Sequence, residues 1–553
     1  MSNPESQKTA IELQDDHVSR RSWRWKGTLA IIYFTALINA QAGYDVSNTA
    51  NIQSRLYEAF GRIELLSWIS LSYSLALFSV MFLVRHLTYN FDLRWLYLGS
   101  LAVFLAGATV AGAAQNMAAI IVGRVIMGVG GAFVQQINMF YISDCAPGIE
   151  GERARKAPQR ISIMSASWAV GLIIGGPVGS AFSERVTWRW AFLLNLPCVG
   201  ATLILAYICV PKGEVLPDEE APLRCRWNQF VLAQILLNMA VPVLLALGLT
   251  FSGSVWHWDS HPTLAIWIAS GVVSLLWVLY LWATIDWAGL VRSGWPNLRI
   301  WSLWVCSACA GASYAVALYY FPLYFAFAKG ADALQQTLWV LPFVLTFITS
   351  VAITGQLLPV FAAHKVILVI FAVGGAIVTT AGGTLAAILN RETPTAHLVG
   401  FQILMGSGVG LQFQHGIGIC NAMKRSANKL ARLDSIFMCN LAQMGGIAIT
   451  LAAAGSIFQN VGYRLLARSL RTALTEEQIR ALLAGNSLKS QDPALLQAAA
   501  DIVSKVIAKE FYVVAGAGGL CFLSGLLFLI SMRREDINFK QPIQVAETSE
   551  NST

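Results

Sequence analysis

Long apolar runs with few charged residues divide this chain from one end to the other. A membrane hydrocarbon core about 30 Å thick is crossed by roughly 20 apolar residues in a helix, which satisfies its backbone hydrogen bonds internally. Runs of that kind begin near Thr28, Leu65, Trp95, Met117, Ile161, Trp190, Phe230, Leu264, Trp301, Thr337, Val366, Ala396, Ser435 and Phe511. We therefore predict an all-α integral membrane protein with about fourteen transmembrane helices.

The composition excludes an ordinary soluble domain. Hydrophobic residues make up 56% of the chain and charged residues 12%, whereas roughly 25% of an average soluble domain is charged. Lys and Arg are concentrated in alternate connections, such as 153–160 and 424–432, and connections of this type stay in the cytoplasm. We expect cytoplasmic termini and a basic inner surface that faces anionic lipid, and the net charge of +8 is no sign of nucleic-acid binding.

One apolar segment occurs twice. Residues Arg124–Gly130 read R-V-I-M-G-V-G, and residues Gln402–Gly408 read Q-I-L-M-G-S-G. The match continues at steps of four, which keep side chains on one helix face, as far as Gln136 in the first copy and Gln414 in the second. Internal repeats are characteristic of secondary transporters. The duplication predicts two related halves, and the missing charge predicts that their chemistry differs.

The spans and the repeat together predict how the chain is organised. We expect a cytoplasmic tail over 1–27, a six-helix half over 28–210, a cytoplasmic linker with two additional helices over 211–299, and a second six-helix half over 300–531. Within that half, residues 461–510 are expected to form a long extracellular connection with amphipathic helical patterning, as a surface cover or, alternatively, a substrate gate. A second cytoplasmic tail is expected over 532–553.

Arg124 and Asp45 are the candidates for ion coupling. A charged Arg deep in an apolar helix costs about 2.5–3.5 kcal/mol, so it should face water or a carboxylate. The second copy carries a neutral Gln at this place, so packing alone does not require the charge. A carboxyl group that alternates between hydrated and dry surroundings binds a proton in one and releases it in the other. The alternatives are that Arg124 ties helix ends together and that Asp45 lies at the outer interface.

Neutral amides on apolar helices are the candidates for lining a substrate cavity. Amides mixed with aromatic residues suit bulky, weakly polar organic molecules better than sugars or phosphates. The candidates are Gln41, Gln135, Gln136, Asn138, Gln402, Gln414, Asn440 and Gln443. The alternative for each is a hydrogen bond that holds two helices together.

The fifth span carries glycine at every fourth position. Gly171, Gly175 and Gly179 remove side chains from one face, which lets a neighbouring helix approach closely. Pro177 removes one backbone hydrogen bond and allows a bend. Static packing and a contact that opens during transport both agree with this pattern.

Enzymatic chemistry is not expected. The sequence contains no G-x-x-x-x-G-K-[ST] motif for a nucleotide, and no constellation typical of a nucleophile or a metal site. Cys306 and Cys309 form C-x-x-C inside a run rich in Ser, Ala and Gly, which favours a helix contact over a redox or metal site. We expect neither a cofactor nor a bound metal.

Several motifs resemble those of one transporter family. Gly123–Gly131 (G-R-V-I-M-G-V-G-G) is similar to the fourth-span motif of the major facilitator superfamily, and Gly171–Ser180 is similar to its fifth-span antiporter motif. Tyr44–Thr49 (Y-D-V-S-N-T) is similar to the acidic motif of the fourteen-span drug:proton antiporter branch. Y-Y-F-P-L-Y-F at Tyr319–Phe325 and G-S-I-F-Q-N at Gly455–Asn460 resemble fungal toxin and multidrug efflux pumps.

The fifth-span motif departs from the family pattern in two places. Gly176 occupies the position of a Pro, and Ser180 replaces the last Gly. T-W-R-W-A-F-L-L-N-L-P follows the motif at Thr187–Pro197.

The resemblance implies a fold and a function. The fold is the major facilitator fold, two pseudo-symmetric six-helix halves plus two linker helices, with Arg124 on the transport path. The function is secondary active efflux of lipophilic toxins, secondary metabolites or antifungal drugs by proton antiport, as a monomer in the plasma membrane or, alternatively, the vacuolar membrane. The other functions left open are transport of a specific metabolite or iron chelate, and a receptor on the same fold that transports nothing.

Overall fold

The computed structural model describes most of the chain. The described residues are 35–49, 52–60, 65, 67–142, 150–210, 229–253, 255–284, 298–358, 367–422, 429–470, 475, 478–479 and 493–531. The expected tails, 1–27 and 532–553, lie outside them.

Fourteen helical spans, α1 to α14, follow one another in this described part. The first eight are residues 35–49 (α1), Trp68–Ser79 with Met81–Asn90 (α2), Leu93–Gly112 (α3), Met117–Phe140 (α4), Glu150–Arg185 (α5), Trp190–Leu193 with Asn195–Cys209 (α6), Gln229–Phe251 (α7) and His261–Thr284 (α8). The other six are Leu298–Lys329 (α9), Ala333–Leu357 (α10), Leu368–Val373 with Gly374–Ile388 (α11), Thr395–Gln412 with His415–Ala422 (α12), Lys429–Leu470 (α13) and Pro493–Ser531 (α14). A short helix, Gln53–Phe60, precedes α2.

Length and composition fit a membrane protein. Among the described residues, 12 helices are long and apolar enough to cross a bilayer. The prediction of an all-α membrane protein with about fourteen spans is confirmed.

Polar side chains explain where several spans begin. Asp92 and Asn116 accept hydrogen bonds from the first turns of α3 and α4, at 2.9 and 2.8 Å. Asp332 and Gln335 form a capping box at the start of α10. These contacts satisfy the free N–H groups that every helix start leaves, so the apolar runs begin at defined residues.

The two copies of the repeated segment make matching contacts. Gly128 of α4 lies against the backbone carbonyl of Tyr73 on α2, and a side chain added there would collide with it. Gly406 of α12 lies in the same way against the carbonyl of Phe343 on α10. The sequence repeat is therefore also a structural repeat, in which α9 to α12 take the places of α1 to α4.

A second pair of glycine contacts joins helices inside each half. Gly171 of α5 touches the carbonyl of Ala40 on α1, and Gly446 of α13 touches the carbonyl of Ala308 on α9. We call these two backbone contacts the glycine seams. Each seam leaves no room for a Cβ atom, so the helices it joins are held backbone to backbone.

The two additional helices lie beside the join between the halves. α7 packs against α13 and α2, and α8 packs against α7. Asn460 of α13 donates to the carbonyl of Ser252, just after α7, at 2.9 Å. Only 11% of the α8 span is buried, so its remaining surface is available to lipid.

The two copies differ in one backbone feature. α4 is continuous from Met117 to Phe140, whereas α12 breaks after Gln412 and resumes at His415. Gln414 has φ of 60°, a left-handed conformation that is uncommon for residues other than glycine. The helical step of four expected from Gln402 to Gln414 is therefore interrupted just before Gln414.

Residues 461–510, expected as a connection, are helical at both ends. α13 continues to Leu470 and α14 begins at Pro493. The apolar spans within these helices are Ser435–Leu470 and Gln497–Ser531. The connection between the described helices is therefore shorter than the sequence pattern indicated, because the charged residues of this segment lie on helices whose other faces are apolar.

Candidate transport site

Asp45 and Arg124 form a buried ion pair between α1 and α4. A terminal nitrogen of Arg124 donates to the Oδ2 atom of Asp45. Their side chains are 0% and 1% exposed. Each charge supplies the counter-charge that the other needs in a dry site.

Arg124 is held by two further contacts, both from α2. Its Nε atom donates to the backbone carbonyl of Ile69 at 3.1 Å. Its guanidinium carbon lies 4.6 Å from the ring centroid of Tyr73. A desolvated contact between a cation and an aromatic ring is worth about 2 kcal/mol. Two contacts besides the ion pair therefore hold the guanidinium in place in this structure.

Asp45 has a second donor, Asn195 of α6. The Asn195 Nδ2 atom donates to Asp45 Oδ1 at 3.2 Å, and Gln41 of α1 donates in turn to Asn195 Oδ1. Both oxygens of the carboxylate are therefore satisfied. The hydrogen-bond network around Asp45 joins α1, α2, α4 and α6.

A central cavity of about 70 Å³ lies between the halves. Arg124 forms part of its wall. Aromatic and polar residues contributed by both halves line it: Tyr73, Trp168, Tyr314, Tyr319, Phe413, Ser70, Ser74, Gln135 and Gln414. Sites for drug-sized ligands occupy about 300–1,000 Å³, so this cavity has too little room for such a ligand, and we refer to this arrangement of the halves as closed.

Polar side chains join the halves around this cavity. Asn440 of α13 accepts from Gln135 at 3.0 Å and donates to Gln136 at 3.1 Å, both on α4. Trp168 of α5 donates to the hydroxyl of Tyr314 on α9 at 2.9 Å. The hydroxyl of Ser165 on α5 donates to the side chain of Gln414. Hydrogen bonds between flexible side chains can be replaced by hydrogen bonds to water when the halves separate. The backbone contacts of the glycine seams have no such replacement.

A smaller cavity, of about 30 Å³, lies within the first half. Asn39, Gln41, Gln135 and Asn138 line it, with Tyr73 and Trp168 in the wall that it shares with the central cavity. Asn138 accepts from Tyr97 at 2.7 Å, while its Nδ2 atom has no partner among the described residues. The cavity has room for a water molecule, and Gln41 links its wall to the Asp45 network.

The predicted cavity residues occupy three kinds of position. Gln135 and Gln414 line the central cavity; Gln41, Gln135 and Asn138 line the smaller one. Gln136 and Asn440 belong to the join between the halves and line neither of the two cavities. Gln402 and Gln443 are buried, with no hydrogen-bond partner for either amide atom in the described part of the chain.

The counterpart of the ion pair in the second half is neutral. Gln402 occupies the place of Arg124. The glycine seams show that Ala308 in α9 is equivalent to Ala40 in α1. Ser313 and Asp45 each follow five residues later, so they occupy equivalent positions. The Ser313 hydroxyl donates to the carbonyl of Cys309 at 3.0 Å on its own helix. The second half therefore carries neutral residues at the two positions of the ion pair.

The glycine face of α5 packs along α1. A Cβ atom at Gly171 or Gly175 would overlap a carbonyl oxygen of α1, and one at Gly179 would overlap the side chain of Asn48. Pro177 lies between them, half-buried. This contact lies inside the first half rather than between the halves.

Sequence reasoning missed Tyr73 and Asn195 as contributors to the site. Asn195 stands in the string at Thr187–Pro197, and an amide in an apolar run of that kind was the available signal. Tyr73 had none, because its contact with Arg124 depends on how α2 and α4 cross. Among the described residues, no group of three or more His, Cys, Asp or Glu side chains is arranged to hold a metal.

A multi-pass helical membrane fold with two repeated halves around a cavity defines a secondary transporter. Residues 29–449 match the family model of the Major Facilitator Superfamily. The chain belongs to this superfamily and is a multi-pass membrane transporter, not an enzyme. The resemblance noted in its motifs is confirmed.

Several similar proteins are fungal transporters. Efflux pump DEP3 of Fusarium langsethiae is 28% identical over 529 residues, which cover 92% of each protein. The phomenoic acid biosynthesis cluster MFS-type transporter of Leptosphaeria maculans is 27% identical over 513 residues, covering 88% of this chain and 79% of that protein.

Solved structures agree on the fold. A bacterial homolog of the human lysosomal transporter Spinster, inward-facing and occupied, has a TM-score of 0.60 at 13% identity, covering 92% of this chain and 98% of that one. The D-xylose-proton symporter has a TM-score of 0.54 at 13% identity, covering 83% and 95%.

Proposed function

We propose that this transporter exports lipophilic small molecules in exchange for protons, by alternating access to the central cavity. The observation that carries the proposal is the Asp45–Arg124 pair, which is buried and contributes Arg124 to the cavity wall. The efflux pumps and biosynthesis-cluster transporters to which the chain is similar support the direction of transport.

Asp45 is the proton-binding group in this proposal. Protonation removes the negative charge that Arg124 balances, so the cation must find another partner or water. Arg124 reaches the cavity, and its interactions with Ile69 and Tyr73 keep it at the wall. The charge of the cavity wall therefore depends on the proton at Asp45, which couples substrate binding to proton binding.

The remaining lining residues suit lipophilic cargo. The aromatic rings of Tyr73, Trp168, Tyr314 and Phe413 offer apolar surface, and Gln135 and Gln414 offer hydrogen bonds that orient a ligand. When the halves rock, the hydrogen bonds between their amide, hydroxyl and indole side chains break. The glycine seams keep each half intact. We place the boundaries of the halves at 28–210 and 300–531.

Localisation and assembly belong to the same proposal. The Lys and Arg distribution supports cytoplasmic termini. We propose the plasma membrane as the site of action and a monomer as the working unit, with the lipid bilayer, protons and the substrate as its partners.

Substrate-driven proton movement tests the proposal. Purified protein is reconstituted into liposomes with a pH-sensitive dye inside, and two lipophilic probes, rhodamine 6G and cycloheximide, are added. We expect each probe that is transported to move protons in the opposite direction. Transport of a probe without proton movement would refute antiport, and binding without transport would favour a receptor. Failure of both probes alongside transport of an iron chelate would favour the specific-metabolite alternative.

A further inference from the structure

A second acidic group is buried outside the Asp45 network. Glu510 lies on α14, within the span Gln497–Ser531, and is 0% exposed. Neither of its carboxyl oxygens has a hydrogen-bond partner among the described residues. An ionised carboxylate without donor or cation is strongly disfavoured in apolar surroundings. The group is therefore stable in this closed state as the neutral acid.

The described residues around Glu510 supply no counter-charge. α9, α11 and α13 pack against α14. From α9, Tyr320 is the titratable group that faces Glu510, and it is itself buried against Phe458 of α13. Lys505 and Lys509, on the same helix as Glu510, are exposed. No ion pair links Glu510 to a charged side chain among the described residues.

Glu510 lies near Tyr320, which is the sequence neighbour of residues that line the central cavity. Leu318 and Tyr319 of α9 line that cavity, and Tyr320 is the next residue. α9 ends at Lys329, nine residues or about 14 Å further along the helix. In the predicted orientation this is the outer end, so Glu510 lies on the outer side of the cavity in the half that lacks the ion pair.

Packing gives no reason for an acid at this position. An apolar side chain or a glutamine would fill a similar volume without an ionisable group, and ionisable groups at membrane depth are otherwise rare. Contacts between helices are not improved by the carboxyl group, because it makes no hydrogen bond in the described structure.

We propose that Glu510 is a second proton-carrying residue of the transport cycle. When the halves open outward, water enters beside Tyr320 and the carboxylate takes up a proton from that water, which leaves the neutral acid in the closed site. When the halves open inward, water from the inner side reaches the carboxyl group and takes the proton, so one proton crosses the membrane inward. This inference rests on the proposed proton antiport and adds one proton per cycle to the proton carried by Asp45.

The neutral state of Glu510 is tested without any substrate. Dicyclohexylcarbodiimide reacts with neutral carboxylic acids in apolar surroundings, and the modified residue is identified by mass spectrometry of the full-length protein in liposomes. We expect labelling of Glu510 at neutral pH and no labelling of Asp501, an exposed carboxylate on the same helix that is 52% exposed. Absence of label at Glu510 over the whole pH range in which the protein stays folded would overturn the inference.

The number of coupled protons tests its role in transport. At a pH difference of one unit and no membrane potential, each coupled proton supports about a tenfold gradient of substrate. With rhodamine 6G as the probe, we expect about a 100-fold gradient for the unmodified protein and for the control Asp501→Asn. We expect about tenfold for Glu510→Gln, while Glu510→Asp, which keeps the acid, restores the larger gradient.

The outcomes separate the two proposals. Equal gradients for the unmodified protein and Glu510→Gln would overturn the role of Glu510 and leave antiport through Asp45 standing. A gradient that does not respond to pH in any variant would overturn antiport itself, while the labelling experiment still decides whether Glu510 holds a proton. If Glu510→Gln does not fold, carbodiimide labelling of the unmodified protein replaces it. Loss of rhodamine 6G transport in labelled protein, with normal transport where Glu510 carries no label, would support the role of Glu510. Equal transport in both would overturn it.

Discussion

The ion pair between Asp45 and Arg124 predicts that substitutions at these two residues have strongly non-additive effects on the free energy of unfolding. Removing one member of a buried pair leaves the other charge uncompensated and costs about 3–5 kcal/mol. Asp45→Asn leaves Arg124 with the carbonyl of Ile69 and the ring of Tyr73, so we expect the lower end of this range. Arg124→Gln also loses those two contacts and leaves the carboxylate with one donor, Asn195, so we expect the upper end.

The double substitution should destabilise the protein less than Arg124→Gln alone, because it leaves no buried charge. It also reproduces the neutral chemistry of the second half, where Gln402 is fully buried. The free energy of unfolding is measured for the four proteins by titration with sodium dodecyl sulfate in mixed micelles. Single effects that add to the double effect within about 0.5 kcal/mol would refute the reasoning, since independent sites behave in that way.

Transport provides the second measurement on the same variants. We expect the double substitution to yield folded protein that no longer exchanges protons for rhodamine 6G. Unchanged, proton-coupled export by Arg124→Gln would mean that the charge has a structural role only.

Two further predictions concern packing and the join between the halves. Gly171→Ala should cost about 1–3 kcal/mol of stability, because its Cβ atom would overlap the carbonyl of Ala40. Gly200→Ala is the matched control, because nothing lies within 4 Å of a Cβ atom there. Equal unfolding midpoints for the two variants would contradict the tight contact at Gly171. Trp168→Phe removes the hydrogen bond to Tyr314 and should favour opening by about 1 kcal/mol, seen as a wider distance distribution between spin labels on the two halves; an unchanged distribution would show that this bond does not hold the closed state.

Much of the fold was predictable because the bilayer imposes its own thickness on the chain. Each apolar run had to form one span, and the repeat of Arg124–Gly130 at Gln402–Gly408 indicated two halves. Asp45 and Arg124 could be named as candidates for ion coupling because few charged residues interrupt the apolar runs.

The remainder depended on tertiary packing. The contact of Tyr73 with Arg124 requires the crossing of two helices that no local pattern specifies. The burial of Glu510 was not predicted, because the nearby charges of Asp501, Lys505 and Lys509 indicated a connection outside the membrane. These charges lie on the exposed side of a helix whose opposite side is apolar, so one-dimensional charge density was misleading here. The break at Gln414 had no glycine or proline to signal it.

The glycine seams also limit how this protein can change over generations. Where backbone touches backbone, as at Gly171 and Gly446, every larger residue is excluded irrespective of its polarity. The cavity wall, built from side chains, accepts many replacements that preserve its volume. Substitutions can therefore accumulate at the surface that contacts the substrate while the helix packing of each half stays the same. A new substrate can be acquired without a change in the fold.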